Sequence, residues 1–204
     1  MKRFITTALL AACTAFTGAQ AATNLLVNGS FEAQAQANGS WNVYDHFAGW
    51  QTVSGSGIEL RDNIAGGAFD GLNYVELDAY SNSAMAQTVN TVRGAEYSVS
   101  FAYSARAGVS AASNPIEVLW DGTLLGSVTA DGTRLSQHDW HNFSFTVLGT
   151  GLDTLTFRAA GTSDSLGGSL DAVTLSAVPE PSTAALMFVA LLLIGGYARG
   201  GRKG

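Results

Sequence analysis

Between residues 24 and 176 the apolar residues alternate with polar ones instead of recurring at helical spacing. In Glu96–Ala105, Tyr97, Val99, Phe101 and Tyr103 fall on one face, and Ser98, Ser100 and Ala102 on the other. A strand repeats its side-chain direction every two residues, so this pattern makes a half-buried strand and a poor helix. Trp140–Leu148 alternates through Phe143, Phe145 and Val147, and Thr154–Ala160 through Leu155, Phe157 and Ala159. Pro115–Trp120 sets Ile116, Val118 and Trp120 on one face, and Asp121-Gly122 is a hairpin signal leading into Thr123–Thr129. Asp131-Gly132 repeats that device, and Arg106–Asn114, built of Gly, Ser and Ala, reads as a mobile loop. Further strands are expected at Asn24–Asn28, Ile58–Leu60, Tyr74–Asp78, Met85–Thr91 and Ser169–Ser176. Trp41, Tyr44, Phe47 and Trp50 crowd together within ten residues. About nine or ten short strands separated by turn residues predict an all-β sandwich in one domain over 22–177.

The two ends of the chain read differently. Lys2 and Arg3 precede an apolar stretch, and Ala19-Gln20-Ala21 before Ala22 has the small-residue form of a signal-peptide cleavage site. Residues 1–21 are therefore expected to be a signal peptide cut between Ala21 and Ala22. Leu10-Ala11-Ala12-Cys13 is a competing lipobox, which would make Cys13 a lipidated N-terminus. With cleavage at Ala22 the exported chain has no cysteine, so it cannot rest on disulfides. At the other end Val178, Pro179, Glu180, Pro181 and Ser182 form a hinge in which two prolines remove backbone donors. Uncharged residues from about 183 to 198 follow, short for a membrane helix of about 20 residues. Arg199, Arg202 and Lys203 in the closing 199–204 segment supply a positive flank suited to the cytoplasmic side.

Charge separates the ends from the middle. Half of the ten basic residues lie in the terminal segments, while residues 22–177 hold five arginines, no lysine and fifteen acids, a net charge of −10. Such a surface disfavours DNA, RNA and anionic lipid, which comes close to excluding nucleic acid as a partner, and it tolerates calcium and neutral sugars.

The order V-P-E-P-S, apolar span, basic end resembles the PEP-CTERM sorting signal of Gram-negative bacteria, also labelled an ice-binding-protein C-terminal domain. The resemblance implies processing by an exosortase, a membrane peptidase or transpeptidase, after a transient inner-membrane stage. The protein would then reach the cell envelope or extracellular matrix. A plain C-terminal membrane anchor is the alternative. A second resemblance rests on N-L-L-V-N-G-S-F-E (24–32), G-W (49–50), G-L-N-Y-V-E-L-D (71–78), V-L-W-D-G (118–122) and S-L-D-A-V-T-L (169–175). Together they are similar to the jelly-roll, galactose-binding-like domains of carbohydrate-binding modules. That resemblance implies a structural Ca²⁺ near the meeting of first and last strands, held by Glu32, Asp171 and backbone carbonyls. The alternative is that both are solvated edge carboxylates.

Sugar binding needs exposed aromatics to cover pyranose faces, with a few polar groups for the hydroxyls. Trp41, Tyr44, Tyr80 and Trp140 are candidates by their place in or beside loops, and packing is the competing explanation for each. Trp50 and Trp120 lie within apolar patterns and read as core. Catalysis has little support. His138 and His141 are the one histidine cluster, and an i, i+3 pair on extended backbone points to opposite faces, so they read as solvated turn residues. No G-x-S-x-G is present. The sequence thus predicts an exported, non-catalytic β-sandwich with a structural or adhesive role beside exopolysaccharide. A lectin-like carbohydrate-binding module is the alternative, and a small glycoside hydrolase a third reading.

Overall fold

The computed structural model describes residues 23–179. The segment expected to be a signal peptide, Cys13, the Ala21/Ala22 bond, Glu180, Pro181, Ser182, the apolar residues 183–198 and the basic residues 199–204 lie outside the described residues. Twelve strands form the fold: β1 Ser40–Tyr44, β2 His46–Phe47, β3 Trp50–Ser54, β4 Ile58–Asp62, β5 Asn73–Glu76, β6 Ala84–Asn90, β7 Glu96–Ser104, β8 Ile116–Trp120, β9 Thr123–Val128, β10 His141–Leu148, β11 Leu152–Ala159 and β12 Ser169–Ala177. They make two six-stranded sheets, ordered β1-β4-β5-β12-β7-β10 and β2-β3-β6-β11-β8-β9. Among the described residues no helix is present. The chain is an all-β sandwich.

The alternation sets the layers. Ile58, Leu60, Val75, Val99, Phe101, Leu170, Val173 and Leu175 from the first sheet meet Trp50, Met85, Val118, Leu155 and Phe157 from the second. Phe101 and Phe157 touch edge to face across the sheets, with ring centroids 5.0 Å apart. Trp50 and Trp120 are both buried. Asp121 and Gly122 have φ of 48° and 76°, so both central residues of this two-residue hairpin are left-handed, which matches the twist of β8 and β9.

Four local expectations give way to tertiary structure. Asn24–Asn28 is not a strand. It clamps the last strand instead: Leu25 donates its N–H to Leu175 O, Asn24 Nδ2 to Val173 O, and Leu175 its N–H to Asn24 Oδ1. The aromatic run 41–50 holds three short strands that irregular composition concealed. Asp131-Gly132 makes no hairpin, because Gly132 donates to Val109 O and ties two loops together. The Arg106–Asn114 loop is anchored by Asn114, fully buried, whose Nδ2 donates to Val109 O, Ser110 O and Ala130 O.

The outer face of the first sheet is unusual for a sandwich because it is also buried. Its register places Val43, Glu59, Glu76, Ser169 and Ser104 in one row across five strands, and Trp41, Arg61 and Tyr74 in the next. The segments 63–72, 105–115, 131–140 and 160–168 fold over it, so Glu59, Arg61, Tyr74, Glu76 and Asp171 are all buried. This second, polar interior positions the candidate site.

Candidate ligand-binding cleft

β4 and β5 carry carboxylates and a guanidinium on alternate positions, all turned to the polar face. Glu59 Oε1 accepts from Arg61 Nε at 2.7 Å. Arg61 Nη1 lies 3.1 Å from Glu76 Oε2, near enough for an ion pair but misaligned for a hydrogen bond, so Nη1 is left without a hydrogen-bond partner. Arg106 Nη1 donates to both oxygens of Glu76, at 2.9 and 3.0 Å, and to Ser165 O at 3.2 Å. Gly167 N–H adds a bond to Glu76 Oε1. Two glutamates and two arginines leave the cluster formally neutral.

Electrostatics follow from burial and pairing. Burial works against the charge on Arg61, but the carboxylates of Glu76 and Glu59 outweigh it and hold the pKa above the ordinary value. Burial pushes Glu76 up to about 7 against the pull of Arg61 and Arg106. The loop that completes the cluster is fixed by Asp78, fully buried, whose Oδ2 accepts from the N–H groups of Asp164 and Ser165. Ser165 consequently sits at φ 65°, a conformation non-glycine residues rarely adopt.

Above this floor opens a cleft of about 310 Å³, lined by Trp41, Glu59, Arg61, Ile64, Tyr80 and Arg106 among others. Trp41 and Tyr80 meet edge to face at 6.4 Å and remain 46% and 67% exposed. They come from β1 and from the loop after β5, and only the fold brings them together. The other two aromatic candidates are occupied elsewhere. Tyr44 packs on Phe47 and donates to Gln36 Oε1. Trp140 donates Nε1–H to Gly67 O and packs on His138, Tyr74 and Phe69. A larger hollow of about 560 Å³ lies along β3 and β6. His46, Gln51 and Thr88 line it as well, but its Trp50 faces the core and its Gln87 is spent on the backbone of Val27, so it offers no exposed aromatic wall.

His138 is not the solvated turn residue that sequence suggested. It is buried, with Nδ1 3.2 Å from Gly67 O and Nε2 3.2 Å from Ser169 Oγ, and its ring lies 4.5 Å from that of Tyr74. Burial lowers its pKa to about 4. His141 is exposed and pairs with Asp139, so the two imidazoles do not share a site.

Glu32 and Asp171 converge on one turn. Asp171 Oδ2 accepts from the N–H groups of Phe69 and Asp70, and Glu32 Oε1 from those of Leu72 and Asn73. Asp171 is fully buried and forms no ion pair among the described residues, and burial pushes it up to about 7. Asp171 Oδ1 accepts from Ala172 N–H as well, so both of its oxygens have backbone donors, and the two carboxylates are the oxygen groups that a hard divalent cation would have to share with these N–H groups. Among the described residues no group of three or more acidic, histidine or cysteine side chains is placed to hold a metal, so further ligands would be backbone carbonyls or water.

No family model matches the chain. Among curated proteins it is similar to the multifunctional-autoprocessing repeats-in-toxin of Vibrio cholerae, 33% identical over 155 residues, covering 74% of this chain. The chain spans about 3% of that protein's length. Among solved structures, the Stig cyclase Fisc from Fischerella sp. TAU superposes with a TM-score of 0.55 at 15% identity, over 78% of this chain and 98% of that one. An arabinose-bound GH51 α-L-arabinofuranosidase gives a TM-score of 0.53 at 14% identity, over 76% of this chain and 26% of that one. Likeness at these identities is one of fold.

Proposed function

We propose that this chain is an exported, non-catalytic β-sandwich that associates with exopolysaccharide in the envelope or extracellular matrix, and that it seats the glycan in the Trp41–Tyr80 cleft. The observation that carries this reading is two exposed aromatic rings bordering a cleft at which Arg106 keeps part of its side chain accessible, while Glu59, Arg61 and Glu76 are buried in their own ion pairs beneath. A pyranose has apolar faces and a polar rim, and an aromatic wall over polar side chains complements both. The geometry favours a defined sugar site over diffuse adhesion. Glu59 and Glu76 are a poor catalytic pair. Both are bound to arginines, and Glu76 is fully buried, so it has no path to a glycosidic oxygen. The match to a short stretch of a very long toxin suits a self-contained module.

The test is titration of the host's soluble exopolysaccharide into the protein recovered from that host. Saturable binding that Trp41→Ala weakens at least tenfold, about 1.4 kcal/mol, supports the reading. Saturable binding indifferent to Trp41 and Tyr80 moves the site elsewhere. Linear, non-saturable uptake favours the diffuse matrix role.

Two further parts belong to the proposal. Val178–Ser182 and the apolar span that follows serve exosortase sorting, so the mature protein is released from the inner membrane. Glu32 and Asp171 hold a structural Ca²⁺, whose charge would compensate the buried carboxylate and stiffen the 69–73 turn.

A further inference from the structure

The end of the sandwich where β12 finishes is apolar. β6 and β7 are joined by residues 91–95, and β10 and β11 by residues 149–151. These turns are bonded to each other: Thr91 donates to Gly151 O, Gly94 to Gly149 O, and Gly149 to Ala95 O. Val92, Leu148 and Leu152 project from them, 66%, 57% and 66% exposed. Val178, the first residue after β12, donates its N–H to Glu96 O and so leaves the domain beside the same turns. Large aliphatic side chains this exposed, gathered at one tip, mark a contact surface. Arg93, Glu96, Asp121 and the buried Asp153, which is bonded to Thr91 and Thr150, are the charged residues at this end; one arginine against three acids gives −2, so the apolar groups and not charge supply the attraction.

We propose that this tip rests on a phospholipid bilayer surface, the outer face of the inner membrane, while the chain is still attached to its C-terminal segment. The inference rests on the reading of residues 183–198 as a membrane span. Only Val178–Ser182 separate that segment from Ala177, the end of β12. Five residues reach at most about 18 Å when fully extended. The tether therefore holds this end of the domain at the headgroups, and Val92, Leu148 and Leu152 are the side chains that meet them. The Trp41–Tyr80 cleft lies toward the other end, where β12 begins and Arg106, Tyr80 and Ser165 gather. A nine-residue strand spans about 30 Å, so the cleft faces away from the bilayer.

The experiment uses the exported chain from Ala22 to Gly204, which has no cysteine of its own, reconstituted in vesicles of phosphatidylethanolamine and phosphatidylglycerol. A bimane label is placed at L152C in one sample and at A111C, an exposed position at the cleft end, in another. Nitroxide-labelled lipid is expected to quench the label at position 152 severalfold more than that at position 111. Polar substitution at V92N and L148N is expected to reduce quenching at 152 while the chain still floats with the vesicles. Equal, weak quenching of both labels in floating vesicles overturns the docked tip and leaves the membrane span standing. A chain that does not float with vesicles overturns the span, and the docked tip with it.

Discussion

His138 shows how a single side chain acquires a property that its neighbours in sequence do not confer. Its ring is enclosed by Tyr74, Trp140, Ser169 and the Gly67 carbonyl, within the field of Arg61 and Arg106. The folded protein therefore prefers neutral imidazole. With a folded pKa near 4 against an ordinary value of 6.5, the unfolded chain takes up the proton first on acidification. The stability His138 contributes is present above pH 6.5 and is lost as pH falls toward 4. Glu76, raised to about 7, works the other way, becoming less favourable as pH rises from about 4.5. Comparing the wild type with His138→Asn separates the two. The variant's stability deficit in urea should shrink as pH falls from 7 to 4, and a deficit that stays constant contradicts the assignment. The cleft residues teach a similar lesson. The I-E-L-R-D of β4 shows charges alternating with apolar residues, which normally means a solvated face. That face is covered, because four loops distant in sequence close over it.

At the scale of elements, the alternation of β7, β8, β10, β11 and β12 was legible because burial on one face enforces period two. Asn24–Asn28 carries the composition of a strand, but lies against β12 through side-chain and single backbone bonds. Its tight fit is visible at Gly29, where an added Cβ would lie 1.9 Å from Val173 O. Gly29→Ala must push the clamp off β12 and is expected to cost roughly 1–3 kcal/mol, read as a lowered urea midpoint with an unchanged slope. The 69–73 turn, bonded to Glu32 and Asp171, offers a second element-scale test. Calcium at about 100 times its Kd should stabilise the fold by about 2.7 kcal/mol, measured as a rise in Tm. Glu32→Gln and Asp171→Asn should each abolish that rise. A rise that survives both substitutions places the ion elsewhere.

For the whole molecule, the disposition of its two ends matters most. The N-terminal clamp lies against β12, so the two ends of the described chain lie beside the same strand. Mass spectrometry of the protein recovered from cells and from medium decides the sorting proposal. A mature chain beginning at Ala22 and ending near Pro179–Ser182 is expected, and a chain intact to Gly204 contradicts it. What the sequence determined by itself is what depends on local periodicity and composition: the β class, most strand positions, the hairpin at Asp121-Gly122, the buried Trp50 and Trp120, and the acidic surface. Tertiary structure alone decided which residues share a site. Trp41 reaches Tyr80, Glu59 reaches Glu76, and Arg106 reaches Ser165 only through strand register and loop closure. Such pairings join positions far apart in the chain, and no local pattern of hydrophobicity encodes the distance between them.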